Sequence, residues 1–243
     1  MPLTPRSRSS RGRGSTPARR DAPPWIEYGP GMRPLVLAST SRYRKFLMER
    51  LELPFTAVAP DYDERAAEAA LGDLPPAELA ERLSLGKAES LRSRFPDAWI
   101  LGSDQIPVIP GDPDEILYKP ETETRAVDQL MQLSGRSHIM LTAVVLLDAV
   151  TGTVTSALDR QVLVMRRYSR AEAQAYVRAH RPLDCAGSYR LEDPGIKLFE
   201  RIEGGDYTGI IGMPLMSVTR LLRGAGLLPR DVEAPHGDEA SAS

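Results

Sequence analysis

Apolar and polar positions along the chain fall into two periodicities, and these set out most of the elements. Leu35-Val36-Leu37-Ala38 is a short apolar run, followed by the polar group Ser39-Thr40-Ser41 and then by Tyr43, Leu47 and Leu51 at helical spacing. That order predicts strand, polar turn, helix. Residues 75–93 predict a second helix, with proline near its first turn and Leu79, Leu83 and Leu91 on one side. Trp99-Ile100-Leu101 predicts a short buried strand that stops at Gly102-Ser103-Asp104-Gln105, before a second extended run from Ile106 to Ile109. Thr122 is the predicted N-cap of a helix through Val127, Leu130 and Met131 that Gly135 ends. His138–Leu147 and Val154–Met165 predict a hairpin turning at Thr151-Gly152. Ser169 with Glu172 is a capping box for a helix to about His180, a glycine-rich loop region follows from Ala186 to Gly212, and Leu215, Val218, Leu221 and Leu222 mark a last helix. Strands and helices mix, but the hairpin breaks strict β-α-β alternation. The expected class is therefore α/β with a mixed sheet.

Composition narrows the function. The 243 residues carry 31 Lys+Arg against 33 Asp+Glu, a net charge of −2, with 42% hydrophobic residues, one Cys and three His. The length allows one large domain or two small ones. A lone Cys185 excludes a disulfide scaffold and points to a reducing, cytoplasmic compartment. The three His are too widely spaced for a zinc site. No apolar stretch reaches the roughly 18 residues that a membrane-spanning helix needs. The charge is uneven: residues 1–32 hold six Arg against Asp21 and Glu27, whereas residues 229–243 hold Arg230 against four acids. Both ends lack apolar periodicity, so 1–32 is expected to be a basic, mostly disordered extension and 229–243 a disordered tail around a domain spanning 33–228. The arginine-rich arm has the composition of a nucleic-acid or anionic-surface contact or of an organelle transit peptide, and a solvated extension accounts for it with less. No apolar segment of a secretory signal follows the arginines.

Two groups of residues carry candidate chemistry. Ser39-Thr40-Ser41, with Arg42, Arg44 and Lys45 directly after, has the hydroxyls, free amides and guanidinium forks of an anion site at a helix start. A capped helix with a solvated basic first turn explains the same residues equally well, although the helix dipole disfavours bases there. Asp104, expected at a strand end, and the acidic group Asp61, Asp63 and Glu64 could meet near phosphate and bind Mg²⁺, a hard ion that takes oxygen ligands. One of them could also deprotonate a water. Taken singly, each acid reads first as a turn or cap residue, and Lys87 and Lys119 as surface lysines.

The motifs LASTSRYRKFL (37–47), DYDE (61–64), GSDQ (102–105), YKP (118–120), Ser134-Gly135 with Thr142, and CAGSYRLEDPGIKLFERIEGGDYTGIIGMPL (185–215) together resemble the Maf (septum-formation-like) family of nucleoside triphosphate pyrophosphatases. The resemblance runs from about Leu35 to Leu228. It implies an elongated mixed sheet with flanking helices and two lobes around a cleft, akin to the inosine-triphosphate pyrophosphatases. It further implies metal-dependent hydrolysis (Mg, Mn or Co) of a nucleoside triphosphate to monophosphate and pyrophosphate, and a possible homodimer. Carried across, Ser39, Arg44 and Lys45 would hold phosphate, Glu64 and Asp104 would serve metal and water with Asp104 the proton acceptor, and Lys87 and Lys119 would neutralise charge. Tyr43, Gln105 and Glu192 look like the pocket residues of the type acting on 7-methyl-GTP rather than dTTP or UTP. The chemistry agrees, because N7 methylation makes guanine cationic and favours an aromatic face, and a Glu192 carboxylate can accept from guanine N1–H and N2–H₂. Arg42 stands where the family generally has Pro, Tyr118 replaces a common Gly, and Asp193-Pro194 is unusual in the late loop. The competing expectations are a dTTP/UTP pyrophosphatase, a non-catalytic nucleotide-binding regulator of septum formation, and nucleic-acid binding through the N-terminal arm.

Overall fold

The computed structural model describes residues 33–111 and 113–228, so the expectations for the basic extension and the acidic tail lie outside the described residues. The chain runs β1 (Leu35–Ala38), α1 (Arg42–Glu49), β2 (Thr56–Val58), α2 (Glu64–Leu71), α3 (Pro76–Glu89), β3 (Trp99–Ile109), β4 (Glu115–Ile116), α4 (Glu123–Leu133), β5 (Ser137–Asp148), β6 (Val154–Met165), α5 (Arg170–His180), β7 (Phe199–Glu203) and α6 (Leu215–Gly224). One mixed sheet has the order β2-β1-β3-β5-β6-β7, with β4 on β3. Strand β1 pairs parallel to β2 and β3, and all later pairings are antiparallel. The expected mixed α/β architecture is present. No described helix is long and apolar enough to cross a membrane.

Strand periodicity assigns the helices to faces. Leu35 and Leu37 of β1 pack with Leu47 and Met48 of α1 and Val218 and Leu222 of α6, whereas Val36 and Ala38 pack with Ala88 and Leu91 on the α3 side. Each face buries its own apolar set because successive side chains of a strand point to opposite sides. Further along β5 and β6, Met140, Leu163 and Met165 join Leu130 and Leu133 of α4 and Val177 of α5 in a separate cluster. Each of the four apolar clusters among the described residues thus draws on β5, the fourth through Leu141 and Ala143. The caps read from the sequence are made: Thr122 accepts from Arg125 N at 3.3 Å, and Ser169 and Glu172 form their reciprocal box.

One expectation is corrected. Strand β3 does not stop at Gly102; it runs unbroken from Trp99 to Ile109, and the polar residues 103–105 sit inside it. The ladder to β5 holds them there, with Asp104 opposite Ala143 and Gln105 opposite Thr142. Strands β2, β4 and β7 and helix α2, none of them predicted, complete the chain.

Helix α3 lies very close to β3. A Cβ at Gly102 would collide with the Ser84 carbonyl oxygen and crowd the Ala88 side chain. Ser84 is itself buried and bonds Ala80 O at 2.7 Å and Ala143 O at 3.2 Å, which leaves the helix no room to retreat. Gly102→Ala is therefore expected to lower the unfolding free energy by about 1–3 kcal/mol, the usual range for overpacking, as read from urea denaturation midpoints.

Candidate active site

The site begins at a gap in the sheet. Beside β3, strand β1 ends its pairing at Leu37 opposite Leu101, and β4 begins only at Ile116 opposite Val108. Between these points that side of β3 has no strand neighbour, although its other side stays paired to β5. The chain leaves β1 at Ser39 and turns into α1 across the gap. A cleft of about 750 Å³ opens there, lined among others by Ser39, Arg44, Glu64, Lys87, Asp104 and Lys119.

Alternation along β3 sorts its polar side chains. Asp104, on the Gly102 side, meets α3: Lys87 Nζ bonds Asp104 Oδ1 and lies 2.6 Å from Glu64 Oε2. Lys119 Nζ bonds the other Glu64 oxygen, Oε1. Asp104 and Lys87 are only 6% and 5% exposed, and Ser39 is 7% exposed. Burial pushes the Glu64 carboxyl up, but Lys87 and Lys119 overcome it and hold it down at about 2. Burial pulls Lys119 down, but its bond to Glu64 and the negative charges of Glu64, Glu68 and Asp104 together raise it. Of the acidic group read from the sequence, only Glu64 reaches the cleft; Asp63 caps α2 by accepting from Ala66 N at 3.0 Å.

The opposite face of β3 anchors the late loop. Ser103 Oγ donates to Gly212 O at 2.9 Å, and Arg44 Nε donates to the same carbonyl at 3.0 Å. Gly212 adopts φ +107°, a conformation that a side chain would strain. Fixed through Nε, Arg44 keeps its terminal amino groups for a ligand, while burial lowers the guanidinium pKa against the opposing pull of Asp104 and Glu64. Gln105 Nε2 donates to Gly209 O at 2.9 Å and Ile210 O at 2.7 Å, and Thr142 Oγ1 also donates to Gly209 O, at 2.8 Å. The Gln105 amide is thus a loop clamp, and its N–H₂ is not available to read a base.

Lys45 is not brought to the cleft. It points outward from α1, 59% exposed, with Glu49 3.9 Å away, because one step along a helix turns the side chain by about 100° from Arg44. Ser39 Oγ accepts from Ser41 N at 3.1 Å, and Ser41 caps α1 by accepting from Arg44 N at 3.4 Å. Tyr43 and Glu192 both line the cleft, and the Asp193 carboxylate accepts from Tyr43 Oη at 3.1 Å. Partial burial, with Asp193 adding, raises the Glu192 carboxyl. Asp193 and the Gly212 carbonyl are contributions that the sequence did not reveal. Behind the cleft, Tyr189 Oη meets His138 Nε2 at 2.7 Å, and burial lowers His138 to about 4, so the imidazole is neutral. Burial raises the Cys185 thiol to about 11, which suits a packed side chain rather than a nucleophile.

The description "Maf-like protein" matches residues 34–225. This chain belongs to that family. Similar curated proteins include the 7-methyl-GTP pyrophosphatase of Pseudomonas putida, 41% identical over 197 residues, covering 81% of this chain and 99% of that protein. The 7-methyl-GTP pyrophosphatase of Aromatoleum aromaticum is 42% identical over 194 residues, covering 80% of this chain and 96% of its own. A solved nucleoside-triphosphatase / dITP/XTP pyrophosphatase from Mycobacterium abscessus aligns over 82% of this chain and 100% of its own at 15% identity and a TM-score of 0.38, too slight a likeness to bear on the site.

Among the described residues, no group of three or more His, Cys, Asp and Glu is placed to hold a metal. Glu64 and Asp104 do stand together, bridged by Lys87. One or two carboxylates completed by substrate phosphate and water suit Mg²⁺-like ions, so the pair fits an ion that arrives with the nucleotide.

The Glu64 ion pairs carry a pH signature. A folded carboxyl lowered from 4.5 to about 2 contributes stability above pH 4.5 and loses it as the pH falls toward 2. The stability gap between wild type and Glu64→Gln is expected to be widest near neutrality and to narrow through that window. Urea midpoints measured across it provide the check, and a gap independent of pH would contradict the assignment.

Proposed function

We propose that this protein hydrolyses 7-methyl-GTP between the α- and β-phosphates, releasing the monophosphate and pyrophosphate. The observation that carries this reading is the Lys119–Glu64–Lys87–Asp104 chain of charges facing Arg44 in one cleft, with Tyr43 and Glu192 also in its lining. The names of the similar proteins support the substrate.

The triphosphate lies against the Ser39–Arg44 turn, where α1 has no acid in its first turn to compete for its amides. Arg44 forks onto phosphate oxygens, and Lys87 and Lys119 offset the charge that builds up as the anhydride breaks. Asp104, fixed in place by its bond to Lys87, orients the water and takes its proton, and water adds across the α–β bridge as pyrophosphate leaves. A divalent ion, when bound, supplies further neutralisation of phosphate charge, and Glu64 and Asp104 are the residues that would hold it. The Tyr43 ring offers its face to the cationic base, a contact worth about 0.5–2 kcal/mol. The Glu192 carboxylate accepts from the guanine N–H groups, which a pyrimidine cannot match. A non-catalytic regulator would have no use for a buried carboxylate poised to take a proton.

Pyrophosphate release from 7-methyl-GTP, GTP, dTTP and UTP, with Mg²⁺, Mn²⁺ or Co²⁺, tests the proposal. The methylated nucleotide is expected to turn over fastest and chelation to stop release; faster turnover of dTTP or UTP would overturn the substrate. Asp104→Asn is expected to cut kcat by about 10²- to 10⁴-fold with an unchanged circular dichroism spectrum, and wild-type turnover would remove Asp104 from its role. Tyr43→Ala should lose about 2- to 30-fold more kcat/KM on 7-methyl-GTP than on GTP, and equal losses would argue against the ring contact.

A further inference from the structure

The Tyr43 ring is already in contact with a cation. The Arg42 guanidinium carbon lies 4.5 Å from the ring centroid, and a hydrogen bond from Arg42 Nη2 to Tyr43 Oη ties the two side chains together. Tyr43 Oη donates onward to Asp193, 3.1 Å from each carboxylate oxygen. Asp193 is shared with Arg190, 3.9 Å away, so it does not cancel the Arg42 charge alone. Arg42 and Tyr43 both line the cleft.

We infer that Arg42 sets how strongly this cleft prefers a cationic base to a neutral purine, and that it weakens the preference. The inference rests on the reading of Tyr43 as the platform for the base. A base taking the ring face that Arg42 covers must displace the guanidinium. A base taking the other face meets a ring whose quadrupole already attracts one cation, and so gains less from a second positive charge. In either position a methylated, cationic base is also repelled by Arg42, whereas neutral guanine is not. Tyr43 and Glu192 therefore favour the charged base, and Arg42 moderates that choice so that a neutral purine triphosphate is not excluded. Any pull of Arg42 on phosphate is common to both nucleotides and cancels in their ratio.

The test is the ratio of kcat/KM for 7-methyl-GTP to that for GTP in the wild type, Arg42→Ala and Arg42→Lys. Arg42→Ala is expected to raise the ratio about two- to fivefold, the range for an exposed cation–π contact, and Arg42→Lys, which keeps the charge, to leave it at the wild-type value. An unchanged or lower ratio in Arg42→Ala overturns the inference, as does an equal rise in both variants, which would trace the effect to shape rather than charge. If the wild type releases pyrophosphate from neither nucleotide, the functional reading fails. Calorimetric binding of 7-methyl-GMP and GMP to the same three proteins then gives the ratio, with the same rise supporting the inference. There, equal ratios, or binding of neither nucleotide, overturn it.

Discussion

Everything in the cleft depends on how closely α3 lies on β3. With hydrogen at the Gly102 α-carbon in place of a side chain, the Ser84 carbonyl comes down onto the strand. One turn further along the helix, Lys87 then reaches Asp104 two residues along the strand. A larger residue at 102 would push the helix away and separate the ammonium from its carboxylate. Burying Lys87 and Asp104 costs several kcal/mol per ion before their attraction is counted, so the cluster is a poor device for stabilising a fold. Its presence beneath an open cleft makes sense as a fixed electrostatic frame, assembled in advance for a ligand that brings its own charge.

The unbroken course of β3 is the second requirement. Because its side chains alternate, one strand sends Asp104 toward α3 and sends Ser103 and Gln105 toward the loop around Gly212. Asp104 and the loop that fixes Arg44 are therefore held in register by a single ladder to β5. On its other side β3 loses β1 after Ala38, and the cleft that Asp104 lines opens there.

This arrangement was partly legible in the sequence. The hairpin and α6 have long apolar periods, α4 and α5 add side-chain caps to theirs, and all stand where the pattern put them. Strand β2 has only three residues, α2 (ERAAEAAL) offers little but alanine to its apolar face, and β7 lies in a stretch rich in glycine, so no period announced them. The polar run 103–105 read as the end of a strand because nothing local shows that each of those side chains has a buried partner from elsewhere in the chain. Lys87 and Lys119 looked like surface lysines, and only the family resemblance singled them out; Glu64 lies 55 residues from Lys119 in sequence. Lys45 shows the reverse case, since a basic cluster read along the chain does not say which member the helix turns inward. The Tyr43–Asp193 bond joins residues 150 positions apart and had no signature at all.

The charge balance of the floor has a consequence for turnover in a crowded cell. Arg44, Lys87 and Lys119 face Glu64 and Asp104, so the cavity has almost no surplus positive charge with which to bind a polyanion. Its grip on a nucleotide must come from directed donors in fixed places. On the proposed reaction, two separate anions then remain in a space with almost no excess of cations to retain them both, so such a floor lets its products go.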